Sequence, residues 1–398
     1  MTRPVRVLSL YEGFFAGGAR VLHTDLISGL HARGAQQHSV LSIASEAHRE
    51  STRQPMAADP RYQHLLRAGI GVTTLGRSAG AEPPGRHTFT DRELLVASAA
   101  VRQADVILSL KEQPLGLLLA LSERGLLPPV PVATCLHRSD PIHSGPALGW
   151  LVEATALGIV DATISCAIST DDAYARAGVD AIDRYIIANG IDTDRFRPGT
   201  PDEVGATKAS LGIPASAPVV VFAARFDAMK NPGLFLRAVA EHRANRPDAH
   251  YVLCGAGMDW ANPAFRELAD EGGVGEADSI HALGIRDDMP AIFQIADIVA
   301  LTSAFGEASP LCLLEGAACG ATPITTDVGD AAHQVSGFGL VTSHRPHEIA
   351  AAWDVALGNR QTGRSASLAA RDGVGRDRMV ADYAGAINRL LSIEEAAA

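Results

Sequence analysis

Short apolar runs alternate with amphipathic helical patterns almost throughout this 398-residue chain. Such a run predicts a strand that is buried on both faces, and a helical pattern between two runs predicts a crossover that makes the strands parallel. The predicted strands are Val5–Leu10, Gln37–Ile43, Val106–Leu110, Val132–Cys135, Ala162–Cys166 and Tyr185–Ile187 in the first half, and Val219–Ala223, His250–Leu253, Ile298–Leu301 and Thr322–Thr325 in the second. The pattern therefore predicts an α/β fold with parallel sheets covered by helices.

One polar segment interrupts this alternation. Residues Asn189 to Pro218 are rich in Asp, Gly, Thr and Pro, which is typical of a domain boundary. The chain is long enough for two domains, each with its own core. We expect doubly wound domains over residues 1–195 and 196–376, with a C-terminal helix over 377–398 that packs back on the first domain.

Composition excludes several classes of protein. The formal charge of −11 comes from 34 basic and 45 acidic residues without a basic block, so nucleic acid is not expected as a partner. The five cysteines stand singly without metal spacing, and we expect them to be reduced. The longest apolar stretch, near Leu115–Leu121, is too short for a membrane span, and from the first residues we expect no secretory signal. We expect a cytoplasmic protein.

Two glutamates eight positions apart, Glu307 and Glu315, flank a predicted helix start. Ser309 suits the N-cap and Pro310 the first helical position, and the free N–H groups of that first turn attract an anion. One carboxylate could hold sugar hydroxyls in front of a diphosphate while the other binds a ribose behind it. This layout fits a nucleotide-sugar. The alternative is an acidic first turn that only complements the helix dipole.

Other candidates follow predicted strands, where ligands bind in sheets of this kind. Arg225 and Lys230 lie on one strand-to-helix loop and suit a diphosphate, although a solvated basic loop is the alternative. Gly17 and Gly18 would let a ligand approach a helix N-terminus, but their spacing does not match GxGxxG. His137 follows a strand and can hydrogen-bond a sugar.

Weaker signals concern a base-binding loop and a metal motif. Gly255 follows a strand, and backbone groups around Ile285 could read the edge of a base. Asp192 and Asp194 form a DxD sequence, which metal-dependent glycosyltransferases use to bind a divalent cation. Here it lies on the domain boundary among turn residues, and we interpret it as a linker. His344 and His347 lack carboxylates at metal spacing and receive no role.

Together these segments resemble family 4 of the retaining GT-B glycosyltransferases, the glycosyl transferases group 1. The similarity covers most of the chain and is densest from Asn189 to Asp330. The matching pieces are the Gly17-Gly18 loop, the linker from Asn189 to Pro198, Arg225 with Lys230, Gly255-Ala-Gly257, Arg286 to Pro290, the pair Glu307 and Glu315, and the segment from Cys319 to Asp330.

The resemblance implies roles for the donor site. Arg225 and Lys230 would bind the donor diphosphate and Glu315 the ribose. Glu307 would hold the donor sugar together with the backbone of Ser309, Pro310 and Leu311.

Further roles fall in the first half of the chain. His137 occupies the position of the family's histidine near the sugar, and Gly17 and Gly18 that of a loop near phosphate and acceptor. Departures from the family pattern include Gly316, where alanine is usual, and Asp330, where a second glycine is common.

The resemblance also implies a GT-B fold, two Rossmann-like domains facing each other across a cleft, with the acceptor bound by the first and the donor by the second. We expect a hexosyltransferase that moves a sugar from a nucleotide-sugar, with UDP the commoner choice, to a hydroxyl of a small molecule or glycan. Front-side attack would retain the anomeric configuration and use the leaving phosphate as base, with no metal or cofactor. Peripheral membrane contact is not favoured.

Three alternatives remain open from the sequence. Glu12 could act as base in an inverting reaction. A nucleotide-sugar epimerase or a phosphorylase could use the same scaffold. A catalytically silent binding protein would require damage at the charged positions, and these are present.

Overall fold

The structure, a computed structural model, describes residues 3–15, 17–49, 52–80 and 82–397. Its contacts divide the chain into two compact units, Met1–Gly190 with Arg376–Ala398, and Ile191–Gly375. Both division points lie within a few residues of the expected boundaries. The acceptor-binding and donor-binding roles that we expect of the two domains stay predictions.

Fourteen strands occur in the described residues. They are β1 (Val5–Tyr11), β2 (Gln36–Arg49), β3 (Thr52–Pro55), β4 (Gly71–Ala79), β5 (Val106–Leu110), β6 (Val132–Leu136), β7 (Ala162–Ser165), β8 (Asp183–Ile186), β9 (Val219–Ala223), β10 (His250–Cys254), β11 (Ile280–Ala282), β12 (Ile298–Leu301), β13 (Thr322–Thr326) and β14 (Leu340–Thr342).

The α-helices in the same residues are α1 (Gly18–Ala32), α2 (Pro60–Arg67), α3 (Asp91–Val101), α4 (Leu115–Glu123), α5 (Pro146–Ala156), α6 (Ile168–Arg176), α7 (Pro201–Ser210), α8 (Pro232–Asn245), α9 (Pro263–Glu271), α10 (Met289–Gln294), α11 (Leu311–Cys319), α12 (Ala331–Gln334), α13 (Pro346–Gly358), α14 (Arg360–Ala369) and α15 (Arg376–Ala397). None of the helices found in these residues is both long and apolar enough to cross a bilayer.

The sheet of the first unit has the order β3-β2-β1-β5-β6-β7-β8, and β4 also pairs with β2. All pairs are parallel except β2 with β3. Strands β5 and β6 are buried along their whole length because helices cover both faces. In the same unit α15 packs on α1, where Val380 lies against Gly29.

The sheet of the second unit is entirely parallel and has the order β11-β10-β9-β12-β13-β14. The chain runs outward from β9 in one direction, then returns to β12 and runs outward in the other. The crevice between the carboxyl ends of β9 and β12 is thus a topological switch point, where open α/β sheets bind their ligands. Aromatic packing supports this region, with ring centroids 4.6 Å apart for Phe222 and Phe235 and 5.4 Å apart for Phe235 and Trp353.

The alternation of apolar runs correctly predicted ten of the fourteen strands, three of them with identical bounds. It missed the strands β3, β4, β11 and β14. Strand β4 alternates between exposed and partly buried positions, and β11 and β14 have only three residues each, so none carries a continuous apolar run. Strand β3 also runs antiparallel to β2, which departs from the all-parallel expectation.

Helix α11 lies unusually close to the sheet. A Cβ built on Gly316 would lie 2.7 Å from Cγ1 and 2.8 Å from Cβ of Val299, a fully buried residue of β12. The glycine that departs from the family pattern is therefore required by the packing, because the alanine that is usual there would overlap the strand.

Gly316→Ala should lower the free energy of unfolding by about 1–3 kcal/mol through overpacking, despite the better helix propensity of alanine. Gly205→Ala in α7 is the matched control, since an added Cβ there meets no atom within 4 Å. The control should be neutral or stabilising by about 0.5–1 kcal/mol. Thermal unfolding of both variants decides the matter, and equal midpoints would contradict the close approach of α11.

Candidate functional site

The centre of the candidate site is a buried ion pair between Lys230 and Glu307. The Lys230 ammonium contacts Glu307 Oε1, and the same oxygen accepts a hydrogen bond from the Ser303 hydroxyl. The side chains are 16% and 4% exposed, respectively. Lys230 follows β9 and Glu307 follows β12, so the pair lies at the switch point of the second sheet. Because little water reaches either side chain, separating the two charges would leave each of them without solvation, and this keeps the pair together.

The backbone beside Lys230 is fixed by several hydrogen bonds. Asn231 has a left-handed backbone, with φ of 49°, and its side chain caps α8 by accepting from the Leu234 amide at 3.3 Å. The Thr302 hydroxyl donates to the carbonyls of Lys230 at 3.3 Å and Asn231 at 3.1 Å. The loop after β9 is thereby tied to the end of β12, which explains why the ammonium reaches Glu307.

The loop that carries Glu307 is held from the neighbouring strands. The Ser303 carbonyl accepts from the Thr326 hydroxyl at 2.8 Å and lies 3.0 Å from Nε2 of His344. Sequence reasoning gave His344 no role. It follows β14 at the same carboxyl edge and contacts the loop that carries Glu307. The signal was hidden because β14 itself was not predicted.

Asp227 connects the two predicted cations. Its Oδ1 accepts from the Lys230 amide at 3.1 Å, and its Oδ2 lies 2.7 Å from the Arg225 guanidinium. The Arg225 side chain is 58% exposed. The structure therefore brings Lys230 and Glu307 into contact and leaves Arg225 at the rim, paired with an aspartate that the sequence analysis did not single out.

Helix α11 begins one residue later than predicted. Pro310, with ψ of 113°, is the N-cap rather than the first helical residue, and Leu311 is the first. Ser309 is not the cap, since its hydroxyl accepts from the Gln334 amide group at 2.9 Å. The extended backbone of Pro310 delays the helix by one position. The N–H groups in the first turn of α11 have no partner within the helix and can bind an anion. Glu315 is the fifth residue of this helix and is partly buried.

The glycine loops after β10 and β11 are packed tightly. A Cβ on Gly255, which has φ of 139°, would lie 2.0 Å from the Ala224 carbonyl oxygen, so only glycine fits. The Gly255 amide donates to the Gly284 carbonyl at 2.7 Å. Next to Gly284, Ile285 is 75% exposed. These loops form a close-packed platform at the carboxyl edge of the same sheet.

The other predicted residues belong to the first unit. Gly17 is the N-cap of α1 and Gly18 its first residue. His137 follows β6, and burial, with the positive charge of Lys111, lowers the pKa of its imidazole to about 3. No hydrogen-bond partner of its Nε2 occurs in the part of the chain that the structure describes. His137 is therefore neutral at physiological pH.

The DxD sequence forms a turn. Asp192 Oδ1 accepts from the backbone amides of Asp194 at 3.1 Å and Arg195 at 3.0 Å, as expected for a linker residue. The structure, which describes all five cysteines, shows no disulfide bond between them; four are buried, while Cys312 is partly exposed.

The solved structures similar to this chain show its fold. The structure of Anabaena HepE in complex with UDP and glucose is 19% identical, covers 97% of this chain and 100% of its own, and has a TM-score of 0.77. Sucrose-phosphate synthase from Thermosynechococcus elongatus is 17% identical, covers 98% and 100%, and has a TM-score of 0.72. The chain therefore has the GT-B fold that the sequence predicts.

A family model matches part of the second unit. Residues 217–359 match the model of the family described as glycosyl transferases group 1, and this segment contains Lys230, Glu307 and α11. The predicted resemblance to the glycosyl transferases group 1 is confirmed over this segment.

Curated relatives match over a similar length. D-inositol 3-phosphate glycosyltransferase of Corynebacterium jeikeium is 31% identical over 181 residues, which cover 44% of this chain and 42% of the relative. The same-named protein of Salinispora arenicola is 34% identical over 192 residues, covering 42% of each. The matches span less than half the length of these relatives.

Variants of Asn231, the N-cap of α8 and the residue after Lys230, test how much its cap and its left-handed backbone contribute to stability. Asn231→Ala should lower the free energy of unfolding by about 1–2 kcal/mol, because it removes the cap and keeps a side chain on a left-handed backbone. Asn231→Gly, the control, should cost only a few tenths of a kcal/mol, since glycine accepts that backbone. Denaturant unfolding measures both. An equal loss in the two variants would rule out the backbone contribution.

Proposed function

We propose that this protein is a retaining hexosyltransferase that moves a sugar from a UDP-sugar to an acceptor hydroxyl, without a metal. The observation that carries the proposal is the buried Lys230–Glu307 pair beside the start of α11. The group 1 match over the same segment supports glycosyl transfer. The HepE structure, which holds UDP and glucose, supports the choice of UDP.

In the proposed step the bond between the anomeric carbon and the β-phosphate oxygen breaks. The acceptor oxygen forms its bond to the same carbon on the same face, and its proton passes to the leaving phosphate oxygen. Negative charge therefore grows on the diphosphate. Lys230 and the first turn of α11 are fixed before the reaction, so they stabilise that charge without reorganising, and Arg225 adds charge at the rim.

Glu307 has two tasks in this proposal. Without donor, its carboxylate holds the Lys230 ammonium in a site that excludes water. With donor bound, the diphosphate supplies a second anion to the ammonium, and Glu307 accepts hydrogen bonds from sugar hydroxyls. Pro310 has no N–H, so the backbone donors beside the sugar are those of Ser309 and Leu311.

The remaining parts have binding roles. Glu315 binds the ribose, and the platform of Gly255 and Ile285 lies against the base. His137 is neutral, so it exchanges a hydrogen bond with the sugar rather than adding charge. Gly17 and Gly18 lie near the acceptor. We propose a small molecule or glycan as acceptor and the cytoplasm as the site of action.

The inverting alternative requires Glu12 as base. Glu12 Oε2 already accepts from the Arg20 guanidinium at 3.0 Å, which favours the retaining reaction. Proton NMR of the first product formed should show the anomeric configuration of the donor. The opposite configuration would reject front-side attack, and a free epimerised sugar without acceptor would indicate an epimerase.

Lys230→Met should reduce kcat by about 10²–10³-fold at saturating donor, because one preorganised stabiliser of developing charge is lost. Arg266→Met on α9 is the control: it removes the same charge from an exposed position of the same unit and should leave kcat unchanged. Initial rates of UDP-sugar turnover measure both. Unchanged turnover by the Lys230 variant would remove Lys230 from the mechanism.

UDP at 100 times its dissociation constant should raise the free energy of unfolding by about 2.7 kcal/mol. GDP and ADP at the same concentration should raise it less. Glu315→Gln should weaken UDP binding by about tenfold, because a charged acceptor for the ribose hydroxyls is lost. Thermal-shift titrations test all three nucleotides, and a larger effect of GDP would replace UDP in the proposal.

A further inference from the structure

The Ser303 carbonyl is the point where the ends of three strands meet. Ser303 follows β12, Thr326 is the last residue of β13, His344 follows β14, and these strands are neighbours in the second sheet. The Thr326 hydroxyl donates to the carbonyl at 2.8 Å, and Nε2 of His344 lies 3.0 Å from it. The second contact therefore reaches from the end of β14 across β13 to the end of β12. The proposed chemistry does not use His344.

The nature of this contact determines which nitrogen of His344 carries a proton. A backbone carbonyl oxygen can only accept hydrogen bonds, so Nε2 must be protonated and must donate. A neutral imidazole with the proton on Nε2 and an imidazolium both meet this condition. His344 acts here as a hydrogen-bond donor to the backbone, in either protonation state.

The backbone on both sides of His344 is held in place. The Ser343 hydroxyl donates to the Glu348 carboxylate and accepts from the Arg345 amide at 3.2 Å. The Arg345 guanidinium also lies 3.2 Å from Glu348 Oε1. Glu348 belongs to the first turn of α13, so the residues before and after His344 are both tied to this helix. The imidazole therefore extends toward Ser303 from a fixed loop.

Ser303 transmits this restraint to the candidate site. Its hydroxyl donates to the same Glu307 oxygen that contacts the Lys230 ammonium. The residue before it, Thr302, donates to the carbonyls of Lys230 and Asn231. Both Ser303 and Glu307 are buried. A shift of the Ser303 backbone would therefore change the hydrogen bond to the carboxylate of the ion pair.

We propose that His344 is a positioning residue for glycosyl transfer. It holds the Ser303 carbonyl, so that the Ser303 hydroxyl keeps the Glu307 carboxylate in place for the donor sugar. This inference rests on the proposed function, because it adds a residue to the same site. His344 touches neither donor nor acceptor, and its effect is on the carboxylate that binds the sugar. It should therefore influence kcat and leave UDP affinity unchanged.

A purely structural role of His344 predicts a different result. The Thr326 hydroxyl already binds the same carbonyl, so the imidazole could simply add to the stability of the loop. In that case its loss would affect UDP binding and turnover alike. The positioning role predicts a change in turnover alone.

The first test compares His344→Ala, His344→Asn and His344→Gln in the full chain. The amide nitrogen of glutamine reaches about as far from the backbone as Nε2, whereas that of asparagine corresponds to Nδ1. The alanine and asparagine variants should lower kcat about 3–10-fold, the value of one neutral hydrogen bond, and glutamine should restore it to within about twofold. UDP release from saturating UDP-glucose measures kcat. The UDP-induced rise in melting temperature should be the same in all variants.

His347→Ala is the matched control. His347 lies in the first turn of α13, its side chain is 67% exposed, and its Nε2 lies 3.9 Å from Glu348 Oε1. Its removal should leave kcat unchanged. An equal loss of kcat in His347→Ala and His344→Ala would overturn the proposal, and so would a failure of His344→Gln to restore kcat or a lost UDP response in His344→Ala.

Ser303→Ala tests whether His344 acts through the hydroxyl, because alanine removes this group and keeps the carbonyl. Adding His344→Ala to Ser303→Ala should cause no further loss of kcat. A second loss of the same size in the double variant would assign His344 a purely structural role. If Ser303→Ala does not fold, the comparison of the glutamine and asparagine variants still decides the matter.

A measurement without turnover separates this inference from the proposed function. Melting temperatures are recorded without ligand for the wild type, His344→Ala, Ser303→Ala and the double variant. The loss in the double variant should be smaller than the sum of the two single losses, because both variants weaken one chain of hydrogen bonds. Additive losses would reject the coupling even if UDP-glucose is turned over. Coupled losses without turnover would reject the proposed function and keep His344 as the residue that positions Glu307.

Discussion

The desolvation of Lys230 and Glu307 governs how the second unit is built around its site. Two charges that are largely removed from water remain ionised only if each supplies the other's missing solvation and further hydrogen bonds complete the set. The Ser303 hydroxyl donates a hydrogen bond to the Glu307 carboxylate. The backbone around Lys230 is held by hydrogen bonds from or to Thr302, Asp227 and Asn231. A loose loop would leave a buried charge unpaired, so the rigidity of these loops follows from the chemistry they hold.

The two units share one backbone feature at the carboxyl edges of their sheets. In each, a non-glycine residue with a left-handed backbone stands where the chain leaves a central parallel strand: Lys111 after β5 and Asn231 in the loop that follows β9. This conformation turns the chain sharply where it leaves the strand, and in the second unit the residue before it is Lys230.

The buried strands and the charged candidate residues could be predicted from the sequence, because both leave a local pattern. Edge strands and contacts between distant residues leave no such pattern. Central strands such as β5 and β9 are continuous apolar runs, whereas edge strands such as β14 bury one side or less and leave no such trace. Lys230 could be named from its place after a strand, and Glu307 from its place beside a predicted helix start. Their contact joins residues 77 positions apart and depends on strand order, which no local pattern encodes. Asp227 and His344 act through backbone contacts, and residue type alone does not reveal these.

The contact between Gly316 and Val299 has a consequence for how this site can diverge. Backbone lies against a β-branched side chain in the middle of a sheet, so no rotamer change can relieve an added methyl group. The distance of α11 from the sheet is therefore set by the combined size of the side chains at positions 316 and 299. We expect substitutions at these two positions to covary. A chain with alanine at this point of the helix must either carry a smaller residue on the strand or hold the helix farther from the sheet, and that second solution would move the first turn of α11 outward.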